Sequence, residues 1–352
     1  MKIAIIHEEA TRGCPDTEDV LDEVGLITGA LETLNHDYRV FTIGDCRCVR
    51  NGRETFDLTS ELSSLLEGFR VYCPDVIFNM VEGNKNTPRL LPAIAGFLEL
   101  TGLPMTGARY ESLLTTTDKA LARSIMAANG IQTPAGVVYT GGGYNEMAVG
   151  FPCIVKPSLE DGSIGIGDEC VVHDAAALRS LLPDMYQRHC GQPLLVERYI
   201  AGRELNVSVI GREDGTAQVL PVAEIVFNDW PAGKPKIVSY KAKWEEGSFE
   251  YENTPRSFAV EGVPVERVKA LALRCWDVFA LRGYARVDMR MDNDGNLFVI
   301  EVNANPCIAP WSGFIAAARE GGYSEVDVIR AIIAATGRVR WGQGDWSPCR
   351  GV

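Results

Sequence analysis

Residues 286–306, RVDMRMDNDGNLFVIEVNANP, constrain this chain more than any other stretch. Two apolar, extended segments, ARVDMRMD and NLFVIEVNA, flank NDG, a hairpin-type turn. In a strand, residues two apart share a face. Glu301 and Asn303 therefore point the same way, Asp288 can meet them from the neighbouring strand, and Arg286 lies on the face of Asp288. Two carboxylates and an amide oxygen on one sheet face are the hard donors that Mg²⁺ takes when phosphates and waters complete its shell. An arginine beside them suits a reaction that builds negative charge on phosphoryl or tetrahedral oxygens. The competing reading, a half-buried hairpin with solvated charges, leaves unexplained why three acidic or amide side chains converge in an otherwise apolar hairpin.

The first hundred residues alternate. KIAIIH, YRVFTIG and DVIFNM read as strands, with helices near 18–34, 59–69 and 88–101. Such alternation implies an α/β lobe with a parallel sheet and crossover helices. LPMTG, 103–107, leads into a second region. There a helix over 116–129 takes Thr116 or Thr117 as N-cap and ends at Gly130. GVVYT, CIVKP and CVVHD follow as strands, then a helix over 174–183. LLVERYI, ELNVSVIG and QVLPVAEIVF open a third region that runs to a last helix near 324–336. The expected division is 1–115, 116–196 and 197–340, with an irregular tail at 341–352. Residues 228–262 are polar, with glycine and proline, and are expected to form a partly ordered active-site loop.

At 352 residues, 46% of them hydrophobic and 23% charged, the chain can bury a sizeable core in two or three lobes. A net charge of -13 argues against a nucleic-acid partner, though a few lysines and Mg²⁺ can still make a local site for a nucleotide. No run approaches 18 uncharged apolar residues, so no membrane span is expected. The start, MKIAIIHEEATRG, reads as a first strand and not as an export signal. The ten cysteines are scattered, and Cys46 and Cys48 lack a second pair to complete a zinc site. The expectation is a cytoplasmic protein with reduced thiols.

Lys156 closes the strand FPCIVKP and is followed by SLEDGSIGIG, with Gly162, Gly165 and Gly167. A lysine ahead of a glycine-rich loop suggests phosphate handling, because glycine lets backbone N–H groups approach phosphate oxygens. The order differs from a Walker motif, and a plain hairpin is the alternative. Lys119 is a second candidate cation. Glu197 and Glu204 stand where a carboxylate can meet an adenine edge or ribose hydroxyls, although either alone reads more readily as a surface residue.

Taken in order, TDKALARSIMAANGIQTP, FPCIVKPSLEDGSIGIG, LLVERYIAGRELNVSVIG, LPVAEI, YKAKW and GYARVDMRMDNDGNLFVIEVNANP resemble the ATP-grasp superfamily, and within it the D-alanine–D-alanine ligase group. The likeness covers about 75–312 and implies a Rossmann-like first lobe followed by two α+β lobes that grip ATP. It implies that Lys119 and Lys156 contact phosphates and that 160–166, including Gly162, Ser163 and Gly165, is the loop that closes over them. Glu197, Tyr199 and Ile200 would line the adenine hinge, Glu204 would reach the ribose, and Lys243 the γ-phosphate. Asp288, Glu301 and Asn303 would hold two Mg²⁺ ions, with Mn²⁺ as a substitute, and Arg286 would stabilise the acyl-phosphate and the tetrahedral intermediate, with Ser163 also at the reacting groups. The implied chemistry is amide or peptide bond formation between amino-acid-like substrates, with release of ADP and phosphate. A homodimer through the N-terminal lobe goes with the resemblance.

The departures concern the substrate end. Glu82 stands where the family has a histidine, Gly162 replaces the first of two paired loop serines, Trp244 replaces a tyrosine, and Cys307 replaces a glycine whose N–H serves the oxyanion. Glu82, Arg89 and the loop from Trp230 to Trp244 are the candidates for substrate selection, Glu82 for an ammonium and Arg89 for a carboxylate. Cys307 is expected near the chemistry but needs no nucleophilic role. Three readings stay open: a ligase for another amino acid or peptide, a D-alanine–D-alanine ligase, and a non-catalytic ATP-binding module.

Overall fold

The computed structural model describes the chain except residues 12, 45–46, 51–52, 57, 83–87, 89, 143–148 and 338–352, and the side chains of 47–50 and 53–56. Arg89 and the 341–352 tail lie outside the described residues.

Strand β1 (Lys2–Glu8) is followed by α1 (Pro15–Thr33), β2 (Asp37–Ile43), the short antiparallel pair β3 (Arg47–Arg50) and β4 (Arg53–Phe56), α2 (Thr59–Tyr72) and β5 (Val76–Met80). Strands β2, β1 and β5 pair in parallel in that order. The run from Ile3 to Ile6 is wholly buried, as an apolar strand covered on both faces must be. Helices α3 (Leu90–Leu100), α4 (Tyr110–Thr117) and α5 (Lys119–Ala128) come next.

The single helix expected from Thr116 is thus two helices broken at Asp118, and the N-cap is Asp118, not a threonine. Asp118 Oδ1 accepts from Ala120 N at 3.0 Å and from Ser158 Oγ at 2.8 Å. The Thr116 hydroxyl instead donates back to Ser112 O at 2.8 Å within α4. This break makes Lys119 the first residue of α5 and fixes where its side chain starts.

The second sheet holds β6 (Gly136–Tyr139), β7 (Cys153–Pro157), β8 (Val171–Val172) and β9 (Leu194–Arg198), in the antiparallel order β6-β9-β7-β8, with α6 (Ala175–Arg188) against it. The LLVERYI strand, expected to open the third region, is hydrogen-bonded into this second sheet between β6 and β7. Its apolar residues match the half-buried face those two strands present.

The third sheet is built from β10 (Arg203–Gly211), β11 (Ala217–Val219), β12 (Ala223–Ile225), β13 (Arg256–Ser257), β14 (Tyr284–Met291) and β15 (Leu297–Ala304), in the order β13-β12-β10-β14-β15, with β11 also on β10. Between β12 and β13 lie α7 (Tyr240–Trp244) and α8 (Phe249–Glu252), so the 228–262 segment is more ordered than a loop. Helix α9 (Val265–Val278) buries Val268, Ala272, Cys275 and Trp276 against Val207, Val287 and Val299 of this sheet.

Helices α10 (Gly313–Glu320) and α11 (Glu325–Ala334) complete the fold. Ile329 and Ile332 of α11 share one core with Ile27 and Leu31 of α1 and with Ile3 and Ile5 of β1. The first and third sheets are thereby joined, and α1 is held beside the segment that follows β15. A second tie is Asn305, whose Oδ1 accepts from Ala108 N at 2.7 Å. Gly107 (φ +79°) allows that approach, since a Cβ there would sit 2.3 Å from Asn305 Oδ1.

No described helix is long and apolar enough to cross a membrane. Cys73 is disulfide-bonded, which corrects the expectation of reduced thiols throughout, while Cys14, Cys153, Cys170, Cys190, Cys275 and Cys307 are free. Disulfides depend on Cα atoms meeting in space, which scattered spacing does not reveal.

Candidate active site

A cleft of about 580 Å³ opens between the sheets. The described candidate site residues line it, apart from Gly165, Gly167 and Trp230. Gly165 (φ +74°) instead lets the loop turn under His189, where a Cβ would come within 2.4 Å of the ring. Trp230 packs on Phe227 at 4.9 Å and Phe249 at 5.5 Å and donates to Pro235 O at 3.2 Å. It is half-buried against those two rings and is not among the residues that line the cleft.

The floor is the β14–β15 hairpin. Asp288 pairs with Glu301 and Arg286 with Asn303, and the register shifts just after Asp288. Arg286 Nε and Nη2 grip the two oxygens of Asp288 at 2.8 Å each. Asn303 Nδ2 donates to Asp288 Oδ2 at 3.0 Å. Burial opposes the charge on Arg286, but Asp288 more than offsets it and holds its pKa above the ordinary arginine value. Asn206 of β10 also reaches Asp288 Oδ1, at 2.8 Å. Sequence reading missed Asn206, although it is two residues beyond Glu204 in ELNVSVIG and so shares its face. Glu204 accepts from Arg290 Nη1 at 2.8 Å.

Lys119 joins this floor to the glycine-rich loop. Its Nζ lies 2.6 Å from Glu301 Oε1, from Asp161 Oδ1 and from Glu160 O. Burial raises the Glu301 pKa, but Lys119 and then Lys156 overcome it and hold the carboxyl at about 2. Asp161 was not picked out from the sequence; an acid inside a glycine-rich run was the available signal. Burial pushes its pKa up, and Lys119 pulls against that.

Lys156 reaches Glu197 Oε2 on the neighbouring β9 at 2.7 Å; Glu197 is buried and Lys156 half-buried. The adenine-hinge candidates follow: Tyr199 N donates to Pro152 O at 3.0 Å, and Ile200 O accepts from Arg290 Nε at 3.1 Å.

At the loop tip, Ser163 (φ +63°) donates its hydroxyl to Val238 O at 2.8 Å, and Trp244 Nε1 donates to Gly162 O at 2.8 Å. The two positions where the sequence lacks hydroxyls are therefore linked directly, by an indole donor and a backbone acceptor. Lys243 Nζ stands 4.8 Å from the Trp244 ring centroid, and Trp311 packs edge-on against Trp244 at 6.1 Å.

The remaining wall is acidic. Asp19 and Glu23 of α1 lie close enough to Cys307 to be influenced by its thiol, and Glu23 Oε1 accepts from Ile308 N. Burial raises the Asp19 pKa to about 6 and that of Glu23 to about 7. Water reaches Glu82, yet desolvation by the cleft walls, with Glu23 and Asp19 beside it, pushes its carboxyl well above the usual range. Burial, Glu23 and Glu82 do the same to the Cys307 thiol, so it stays protonated and a poor nucleophile. The sequence signal for Asp19 and Glu23 was only their spacing of four in α1, which puts them on one helix face.

A family model described as "D-ala D-ala ligase C-terminus" matches residues 144–334. A D-alanine--D-alanine ligase of Synechococcus sp. is 31% identical over 248 residues, covering 68% of this chain and 70% of that protein. An uncharacterized protein of Sinorhizobium fredii is 28% identical over 269 residues, 76% of each chain. The crystal structure of a D-alanine--D-alanine ligase from Bacillus anthracis complexed with ATP superimposes with a TM-score of 0.71 at 21% identity, over 96% of this chain and 97% of that one, a likeness of fold.

Proposed function

The chain belongs to the D-alanine–D-alanine ligase family of ATP-grasp enzymes, and from that premise we propose that it is an ATP-dependent carboxylate–amine ligase joining two amino-acid-like substrates. The observation that carries the reading is the Lys119 bridge, which draws the glycine-rich loop and the Asp288–Glu301–Asn303 floor into one cleft.

A carboxylate resists amines because its oxygen is a poor leaving group. Transfer of the γ-phosphoryl group from ATP to that oxygen gives an acyl-phosphate and ADP. The amine nitrogen then attacks the carbonyl carbon, the C–O bond to phosphate breaks, and the nitrogen loses a proton as the amide forms. Protein groups act by position and charge. Lys156, Lys119 and Lys243 supply cations for the phosphates. Arg286, fixed by its bidentate grip on Asp288, faces the developing oxyanion. The loop tip, tied by Trp244 to Gly162 and by Ser163 to Val238, excludes water from the acyl-phosphate. Glu197, Tyr199 and Ile200 frame the adenine and Glu204 the ribose.

Asp288, Glu301 and Asn303 fit a divalent metal: they are hard oxygen donors on neighbouring strand positions, and two cations, Arg286 and Lys119, already stand against the two carboxylates. Bound there, one or two Mg²⁺ ions, or Mn²⁺, would neutralise phosphate charge. Asp19 and Glu82 form the wall suited to a substrate ammonium. The Trp244–Trp311 pair and Cys307 narrow the substrate end, which favours a substrate pair other than two D-alanines. ATP use goes with a cytoplasmic location. The dimer through the first sheet is carried over from the resemblance alone.

The test is a screen of D- and L-amino acids and short peptides with ATP and Mg²⁺, reading phosphate release and product mass. We expect release that depends on a particular pair and a product heavier by one amide linkage. D-alanine alone giving the dipeptide would assign the relatives' activity. Tight ATP binding without phosphate release across the panel would overturn the ligase reading in favour of a binding module.

A further inference from the structure

Arg256 begins β13 at the edge of the third sheet, paired with Ile225, and its side chain lines the cleft. Its guanidinium makes no hydrogen bond or ion pair among the described residues, and its Nε is buried without a partner. Every other cation named in this cleft has a carboxylate: Arg286 has Asp288, Lys119 has Glu301, Lys156 has Glu197, Arg290 has Glu204. Lys243 is the exception, and it lies on the Trp244 ring. The charge that Arg256 does feel is of its own sign, from Arg286.

A half-buried guanidinium with no acceptor, next to another cation, is unfavourable in the free protein. The surroundings are shaped to keep it there. Nη2 lies over the start of α10, and a Cβ on Gly313 would come within 3.2 Å of it, so the glycine leaves it room. The fork of a guanidinium matches a carboxylate with two parallel N–H···O bonds.

We propose that Arg256 holds the carboxylate of the amine-bearing substrate, seating it beside Arg286 so that the nitrogen faces the acyl-phosphate. This rests on the ligase reading, and it assigns a specificity role to a residue outside the motifs that carry the family resemblance. A partner on Arg256 would also damp its repulsion with Arg286, so binding and oxyanion stabilisation support each other.

The test compares amino acids with their carboxamides in wild type, Arg256→Gln and Arg256→Lys. Thermal stabilisation by a panel of D- and L-amino acids reads binding without turnover. Wild type should be stabilised by at least one acid and not by its amide, and Arg256→Gln should lose that preference. Losing one charge-assisted, bidentate contact should weaken the acid roughly tenfold to a hundredfold, with partial recovery in Arg256→Lys and unchanged ATP affinity. The free Arg256→Gln protein should be no less stable than wild type, which a merely structural arginine would not allow. The proposal is overturned if no acid stabilises wild type, if the acid-to-amide preference survives in Arg256→Gln, or if ATP affinity falls instead. Phosphate release in the same wild-type samples judges the ligase reading separately, because acid-selective binding without release would sink the chemistry and keep the site.

Discussion

Glu23→Gln isolates the acidic wall. Glu23 is fully buried in α1 and accepts from Ile308 N, so it ties the first lobe to the segment after β15. Burial, and less strongly Asp19, move its pKa from 4.5 to about 7, against the pull of Cys307, Ile308 N and Ala309 N. Between those two values the folded protein keeps a proton that the unfolded chain releases. The stability due to protonated Glu23 is therefore fully present below about pH 4.5 and lost as pH rises through about 7. The shift, 7 − 4.5, is about 2.5 units, or roughly 3 kcal/mol at about 1.4 kcal/mol per unit. Asp19, raised to about 6, titrates with the same sign and stays in both proteins. Glutamine keeps the carbonyl acceptor for Ile308 N and places its NH₂ at the unpartnered Oε2 position, a loss of about 1 kcal/mol at all pH values. Urea denaturation of both proteins from pH 5 to 8.5, free of nucleotide and metal, measures the difference. The variant should be the weaker at pH 5 and gain roughly 2 to 3 kcal/mol on wild type by pH 8.5. A gap that does not change with pH would refute the reasoning, because it would mean that Glu23 titrates alike in the folded and unfolded chains.

Glu301→Gln should lower turnover by at least about a hundredfold, the scale for losing a positioned charge at a transition state, while Asp161 still satisfies Lys119; near-normal turnover at limiting Mg²⁺ would contradict the metal assignment. Lys156→Met leaves buried Glu197 without its 2.7 Å partner and should destabilise by about 3 kcal/mol. Adding Glu197→Gln should restore most of that stability but not the ATP affinity measured by calorimetry. Gly107→Ala forces a Cβ to within 2.3 Å of Asn305 Oδ1 at a φ of +79° and should lower stability by about 2 kcal/mol or more, read from the urea midpoint; an unchanged midpoint would show that the tie between the first lobe and β15 is slack.

Much of the floor of the site was written in the local pattern. NDG sets the hairpin turn, and the two-residue period then leaves Asp288, Glu301, Asn303 and Arg286 no choice but one face. Alternating apolar runs likewise announced the parallel first sheet, since each apolar strand needs cover on both sides. Strand membership was less legible. LLVERYI joined the second sheet, because pairing partners are chosen by distant strands and not by the strand itself. Helix breaks were misplaced for a similar reason: the Asp118 cap is secured partly by Ser158, forty residues away.

What the chain determined alone was which residue types recur at spacings that backbone geometry converts into a shared face. What only the tertiary structure decided was which charge meets which. Lys119 finds Glu301, Lys156 finds Glu197, Trp244 finds Gly162, and Arg256 finds no acceptor among the described residues. Those pairings depend on how α1, α11 and Asn305 clamp the first lobe to the third sheet. Periodicity reaches only a few residues along the chain, whereas electrostatics and desolvation act across whatever surfaces packing brings within a few ångströms.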